Sequence, residues 1–188
     1  MWRRTITFRV SLLSMVRAEA TNHYFKHLGV SDGLSQVCIP SIYQDELGAV
    51  WLGTTEGLNR YNGKDVRVFQ PSESNHGLTN NEINELCGDK NGRMYIRSGN
   101  DLIKLDIYTE QFTCLRQKGV YGLFCKKDTL WVSCADGIYY YTGQGTELTF
   151  FARVQKGFVG RALYVDRETV WVVTRKYLVA ISREDPLR

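Results

Sequence analysis

The pattern that decides the fold appears first as Trp51-Leu-Gly-Thr-Thr-Glu-Gly-Leu-Asn-Arg-Tyr61. It returns at 95–105, 131–141 and 171–181, so the four copies begin about 40 residues apart. Each copy begins with an aromatic residue, continues with an aliphatic one, and reaches an apolar residue seven positions after its start, past a polar or glycine-containing turn. A repeat of this length indicates an array of similar structural units.

The residues around each copy repeat as well. An Asp-x-x-Gly stretch precedes the first two copies at the same distance, at 45–48 and 89–92. It suits a tight turn, because Asp can bond its own backbone and Gly readily adopts positive φ. Short apolar runs precede the four aromatic residues, at 39–43, 83–87, 121–125 and 162–165. Alternation within short runs bounded by Gly, Asp and Asn predicts β-strands.

Each unit therefore predicts four short antiparallel strands, which is the content of a β-propeller blade. In the first unit we expect them at 37–44, 49–54, 57–62 and 66–70. The fold class is all-β, with about four blades in the region 21–188, the last of them incomplete. The blades are expected at approximately 29–71, 77–115, 118–151 and 157–188. They would form an open arc, or a small closed ring if 24–28 pairs beside 178–181.

The repeated aromatic residue has a structural explanation. A propeller blade is apolar on both faces, so a large ring in its second strand can fill the wedge between neighbouring blades. We therefore interpret these rings as core positions rather than as ligand-stacking residues. They are Trp51, Tyr95, Trp131 and Trp171.

The N-terminus has the three parts of a secretory leader. Residues 1–20 hold an arginine-rich start, a short apolar stretch and Ala18-Glu19-Ala20, the kind of small-x-small site that signal peptidase cuts. A signal peptide predicts export to the periplasm, while a mis-called start codon and an ordinary N-terminal strand are the alternatives. The apolar stretch is too short to span a bilayer, and no later stretch is longer, so no membrane anchor is expected in this chain.

The charge distribution argues against nucleic acid as a partner. The chain has 188 residues and a formal net charge of +4, and most of that charge lies in residues 1–20, where four arginines accompany one glutamate. The remaining body is nearly neutral and lacks the concentrated basic face that phosphate binding requires.

The five cysteines suggest packing more than chemistry. They lie at 38, 87, 114, 125 and 134, with no Cys-x-x-Cys pair. Cys87, Cys125 and Cys134 fall in apolar, strand-like surroundings, where a thiol packs as a small hydrophobe. Buried free thiols are therefore the favoured interpretation.

The first unit resembles a known family. The stretches Gly33-Leu-Ser35 and Gln44-Asp-Glu-Leu-Gly-Ala-Val-Trp-Leu-Gly-Thr54, followed by Gly57-Leu-Asn-Arg-Tyr61, are similar to the two-component regulator propeller repeat. The second unit matches well, with Gly77-Leu-Thr79 before it, and the third and fourth match mainly around the tryptophan. The resemblance implies the N-terminal part of the periplasmic sensor region of a Bacteroides-type hybrid two-component system, which detects glycan breakdown products and signals to a cytoplasmic kinase.

The sequence departs from that family in its extent. Such sensors usually carry two propellers of many blades, a further β-domain, a membrane helix, a histidine kinase core and a regulator. This sequence resembles only their opening portion, so we expect no signalling output in it. Its three histidines accompany no cluster at metal-ligand spacing, and it contains no nucleophile elbow, phosphate-binding loop or dinucleotide fingerprint. No catalytic residue, metal or cofactor is predicted.

A ligand would bind where loops at one end of the blades converge. We expect the loops before the first strand of each blade, here called the leading loops, and the turns between second and third strands to form this rim. The residues with the most hydrogen-bonding and stacking capacity are Glu56, Asn80, Asn81, Tyr121 and Arg161. The alternative is that the asparagines only shape turns.

The partner predicted first is an oligosaccharide. The remaining blades of a longer protein, or a second copy bound through exposed strand edges, are further predicted partners. Two other functions stay open at this point: a protein–protein interaction scaffold without a small ligand, and a propeller lyase or hydrolase.

Overall fold

The computed structural model of the protein describes residues 26–71, 77–153, 160, 162–174 and 176–184. The predicted leader lies outside the described residues, as does the start of the predicted closing strand. The described residues form fifteen β-strands: β1 Ser41–Gln44, β2 Val50–Thr54, β3 Gly57–Tyr61, β4 Val66–Phe69, β5 Ile83–Gly88, β6 Arg93–Ser98, β7 Asp101–Asp106, β8 Gln111–Arg116, β9 Val120–Lys126, β10 Thr129–Cys134, β11 Gly137–Tyr141, β12 Thr149–Ala152, β13 Ala162–Val165, β14 Thr169–Val173 and β15 Leu178–Ser182.

These strands form four antiparallel sheets in chain order. Blade 1 contains β1–β4, blade 2 contains β5–β8, and blade 3 contains β9–β12. Blade 4 has three strands in the part of the chain that the structure describes, β13–β15. The all-β class and the four-stranded blade, both predicted from the sequence, are confirmed, and the three described strands of blade 4 agree with the predicted incomplete last blade.

Blade 1 illustrates how the repeat folds. Its first strand begins at Ser41, later than predicted, because Pro40 has no backbone N–H to donate to the ladder. The turn between β2 and β3 ends at Gly57, whose φ is +123°. A Cβ on Gly57 would lie 2.7 Å from the carbonyl oxygen of Phe69, so the neighbouring strand leaves room only for glycine.

Three apolar cores lie between successive blades. Trp51 is fully buried between blades 1 and 2, Tyr95 is fully buried between blades 2 and 3, and Trp131 is 5% exposed between blades 3 and 4. In each case the ring belongs to the earlier blade and packs against aliphatic residues of the next one. The repeated aromatic position therefore has a direction: each blade fills the core that it shares with its successor.

The blades form an open arc. Among the described residues each of the three apolar cores joins consecutive blades, and none joins blade 4 to blade 1. The predicted pairing of 24–28 beside blade 4 is wrong for its described part, because Lys26 Nζ donates a hydrogen bond of 2.8 Å to the hydroxyl of Tyr61 in blade 1, and 26–28 are not in a strand.

The two end faces of the arc differ. The segment before β1 covers the outer face of blade 1, where Leu34 is buried and the backbone N–H of Ser35 donates to Asn59 Oδ1 at 2.9 Å. The outer face of blade 4 lacks such a cover among the described residues. Trp171 is only partly buried there, and apolar neighbours on the same face are exposed: Tyr164, Val173 and Leu178.

Aspartates in the preceding turns contact the rings of blades 1, 2 and 4, and those of blades 1 and 2 belong to the predicted Asp-x-x-Gly turns. The indole N–H of Trp51 donates to Asp45 Oδ2 at 2.8 Å, while Asp45 Oδ1 accepts the backbone N–H of Leu47 and Ala49. Trp171 repeats the bond to Asp166 at 2.9 Å, and this hydrogen bond lowers the pKa of Asp166 below its ordinary value. The hydroxyl of Tyr95 lies 3.4 Å from Asp89 Oδ2.

Replacing the repeated aromatic ring by alanine tests whether each ring packs against the following blade. Trp51→Ala removes a fully buried ring and should cost about 3–5 kcal/mol of the free energy of unfolding. Trp171→Ala removes a ring at the same repeat position that is only partly buried among the described residues, and should cost less than half as much. Urea denaturation of both variants measures the two losses. Equal losses would contradict the directional packing.

Candidate functional site

Backbone hydrogen bonds interlock the loops of the predicted rim. The N–H of Gly57, in the second-to-third turn of blade 1, donates to the carbonyl of Asn81 in the leading loop of blade 2 at 2.8 Å. The N–H of Val120 likewise donates to the carbonyl of Asn100 in blade 2 at 3.0 Å. The turn of one blade therefore touches the leading loop of the next, and both lie at the same end of the arc.

The structure brings three of the predicted residues together at the junction of blades 1 and 2. Glu56 is exposed beside Gly57, and its carbonyl accepts a hydrogen bond from Gln70 Nε2 at 2.8 Å. Asn80 Oδ1 accepts the backbone N–H of Glu82 at 2.9 Å, so this side chain has the turn-shaping role considered as the alternative. Asn81 bonds through its backbone, and its residue surface is exposed.

Tyr121 lies apart from these three, at the junction of blades 2 and 3. The ladder between β9 and β10 pairs Gly122 with Ser133 and Val120 with Cys134, which leaves Tyr121 as an extra residue in the inner strand. A β-bulge of this kind re-aims a side chain, and the half-buried Tyr121 is placed by it. The remaining predicted residue, Arg161, lies outside the described residues.

Three polar residues at the same junction were missed by the sequence analysis. Glu85 Oε2 accepts a hydrogen bond from Arg97 Nε at 3.2 Å and another from the backbone N–H of Leu123, in blade 3, at 3.1 Å. Asn84 is the extra residue of a second bulge, in β5, and its amide donates to the carbonyl of Gly99 at 3.2 Å. The sequence signal for two of them was the polar pair Asn84-Glu85 inside the apolar run 83–87, which was assigned to a strand.

The Glu85–Arg97 pair is half-buried within blade 2, and Glu85 alone reaches blade 3, through the backbone N–H of Leu123. Burial raises the pKa of Glu85 above its ordinary value of 4.5, and the Arg97 guanidinium opposes that shift. Arg97 also donates from Nη1 to the carbonyl of Gly99 at 3.1 Å, so its position is fixed from two sides. The carboxylate, the guanidinium and the Asn84 amide can donate to and accept from a polar ligand, and Tyr121 lies in the inner strand of the neighbouring blade.

An aromatic cleft lies at the opposite end of blades 3 and 4. Its volume is about 540 Å³, and it is lined by Thr129, Trp131, Tyr140, Thr142, Phe150, Phe151 and Arg183. The rings of Trp131 and Phe151 meet edge to face, with centroids 5.0 Å apart. The Arg183 guanidinium lies 5.5 Å from the Trp131 ring centroid, within cation–π range. The cleft is therefore a second concave surface with stacking capacity.

Within the described ranges, no group of three or more His, Cys, Asp or Glu side chains is arranged to hold a metal ion. In the same part of the chain, no helix is long and apolar enough to cross a membrane.

The buried Glu85 carboxylate predicts a pH dependence. Its pKa is raised in the folded state, so the folded protein binds this proton more tightly than the unfolded chain does. As the pH rises from about 4.5 through the folded-state pKa, wild type should lose stability relative to Glu85→Gln, and the difference should then level off. Urea midpoints of both proteins across this range test the prediction. An increase in the stability of wild type relative to Glu85→Gln over the same pH range would contradict the prediction.

Comparisons with known proteins agree with the resemblance found in the sequence. A family model described as "Two component regulator propeller" matches residues 33–56. Histidine kinase P4 of Formosa agariphila is 36% identical over 67 residues, which cover 34% of this chain and 5% of that protein. The chain thus spans a small part of the curated relative that it matches.

Solved structures share the fold. The extracellular domain of a protein described as a hybrid two-component system of B. thetaiotaomicron superposes with a TM-score of 0.74 at 22% identity, over 86% of this chain and 25% of that one. A second extracellular domain from B. thetaiotaomicron, described as a one-component system, gives 0.70 at 16% identity, over 87% and 23%. Residues 33–56 thus match the two-component regulator propeller repeat, and the blades have the fold of these extracellular domains.

Proposed function

We propose that this chain is a non-catalytic sensor propeller segment of a hybrid two-component system and binds glycan breakdown products at the junction of blades 2 and 3. The observation that carries the proposal is the Glu85–Arg97 pair, held at the rim between two bulged inner strands. The matched propeller repeat and the similar extracellular domains supply the sensor context.

The chemistry of the junction suits an oligosaccharide. Sugar hydroxyls both donate and accept hydrogen bonds, and a binding site needs a few fixed polar groups that converge on them. Glu85 and Arg97 supply fixed charges, Asn84 supplies an amide, and Tyr121 supplies a ring with a polar end. Glu85 is already bonded by Arg97 and by a backbone N–H, which favours recognition over proton transfer.

The proposed location is the periplasm. The support is the leader pattern in residues 1–20 and the extracellular placement named for the similar B. thetaiotaomicron domains. An alkaline phosphatase fusion after residue 20, active only when exported, tests the leader independently of any ligand.

A panel of neutral and acidic oligosaccharides tests the ligand. A binding oligosaccharide at about 100 times its Kd should stabilise the folded protein by about 2.7 kcal/mol, which is a shift of several degrees in Tm. Tyr121→Ala should weaken that binding at least tenfold, while Phe150→Ala, in the aromatic cleft, should leave it unchanged. Calorimetric titration measures both effects.

Each other outcome counts against a stated part of the proposal. No thermal shift with any oligosaccharide would overturn glycan binding by this chain. Loss of binding in Phe150→Ala but not in Tyr121→Ala would move the ligand to the aromatic cleft. Turnover of an oligosaccharide, followed by chromatography of the products, would favour a propeller lyase or hydrolase.

A protein-binding scaffold is the second candidate function. The observation that favours it is the outer face of blade 4, where Trp171 is partly buried and Tyr164, Val173 and Leu178 are exposed. The three internal cores show what covers such a ring in this repeat, namely the aliphatic face of a following blade. We propose a further blade of the same repeat as the occupant of this face.

Fusing an additional blade to the chain tests whether a further blade of the repeat covers the outer face of blade 4. A copy of blade 2 with its leading loop, fused after residue 184, should protect the amides of β14 from hydrogen exchange and raise Tm. The same fusion carrying Ile96→Asp, which places a charge on the docking face of the added blade, should do neither. Unchanged exchange in the first fusion would argue against the blade as occupant.

A further inference from the structure

Two cysteines meet between blades 2 and 3. Cys87 lies in β5 and Cys125 in β9, the inner strands of these blades. The Sγ atoms of Cys87 and Cys125 are 2.6 Å apart, which is closer than two unbonded sulfur atoms pack. Both side chains pack against the apolar core that these blades share.

The repeat itself places these two residues side by side. Cys87 pairs with Tyr95 across the sheet, just as Tyr43 pairs with Trp51, so both lie on the face that meets the following blade. Cys125 pairs with Leu130, just as Gly88 pairs with Met94, so both lie on the face that meets the preceding blade.

The equivalent position between blades 1 and 2 confirms that the contact is built into the fold. There Tyr43 reaches across to Gly88, and a Cβ on Gly88 would overlap the phenol of Tyr43. Residues at these two positions therefore touch wherever one blade follows another. Between blades 2 and 3, the residues that touch are both cysteines.

We propose that Cys87 and Cys125 form a disulfide bond that links blade 2 to blade 3 when the protein is in an oxidising compartment. The bond forms by thiol–disulfide exchange with a small-molecule disulfide such as oxidised glutathione. One thiolate attacks the small disulfide and releases one glutathione thiol. The second thiolate attacks the mixed disulfide and releases the other, so two cysteine thiols are oxidised and one glutathione disulfide is reduced.

The other three cysteines are not placed for pairing with these two. Cys38 is exposed in the segment before β1, Cys114 lies in the outer strand β8, and Cys134 is buried near the rim end of β10. The disulfide therefore leaves three free thiols, which fits the odd number of cysteines. In the structure all five cysteines are free thiols, as the sequence analysis favoured, and the proposed bond would oxidise two of them.

Burial governs when the bond can form. It raises the pKa of the Cys87 thiol well above its ordinary value, so little thiolate is present in the folded protein at neutral pH. Exchange should therefore be slow once blades 2 and 3 have packed, and fast during folding. The same burial protects the finished bond from soluble reductants.

Thiol mapping of the full chain tests the proposal. The protein is refolded with a glutathione redox buffer, unfolded in denaturant, alkylated, digested and analysed by mass spectrometry. We expect three alkylated cysteines and one peptide pair, linked through Cys87 and Cys125, which separates on reduction. The loop of nearly 40 residues that the bond closes should raise Tm by roughly 5–15 °C relative to the reduced protein.

Two cysteine variants test whether the change in Tm comes from the bond between Cys87 and Cys125. Cys134→Ala should keep the linked peptides and the difference in Tm between oxidised and reduced protein. Cys125→Ala should lose both, with Cys87 recovered in alkylated form. Alkylation of both Cys87 and Cys125 in the refolded wild type, or linkage of either to another cysteine, would overturn the proposal. The result is independent of glycan binding, since the mapping uses no ligand.

Discussion

The burial of the repeated aromatic ring between successive blades is the interaction on which the structure most depends, and in blade 1 a hydrogen bond to the aspartate of the preceding turn fixes that ring. The fully buried indole N–H of Trp51 gains from a partner in the space between the two blades, because an unsatisfied buried donor is costly. Asp45 provides that partner and uses its second oxygen to hold the turn closed. One side chain therefore sets both the path of the chain and the orientation of the ring.

The variation among the blades shows how far this arrangement can change. In blade 2 the ring is Tyr95, and Asp89 also forms an ion pair with Arg93, so the aspartate is shared between ring and cation. In blade 3 the turn before the ring is tighter, and the Arg183 guanidinium of blade 4 lies over the face of the Trp131 ring. The wedge between blades is filled in all three cases, but the polar support differs.

Much of the fold could be predicted from the sequence, because strands and turns depend on local patterns. The period of about 40 residues and the alternating runs located all four strands of blade 1 and the first three strands of the other blades. The polar pair at the junction of blades 2 and 3 could not be predicted, since Asn84-Glu85 lies within an apolar run and a bulge decides which way each side chain points. The Cys87–Cys125 contact depends on how two blades are staggered, and no local pattern reports that stagger.

The direction of the aromatic packing has a consequence for the order of folding during synthesis. Trp51, Tyr95 and Trp131 each pack against the following blade. A blade that has left the ribosome before its successor therefore still has one exposed apolar face. Blade 1 has its other face covered by the segment made just before it, through Leu34 and Ser35. The arc can therefore grow vectorially from its N-terminus, with each emerging blade completing the hydrophobic surface left by the last.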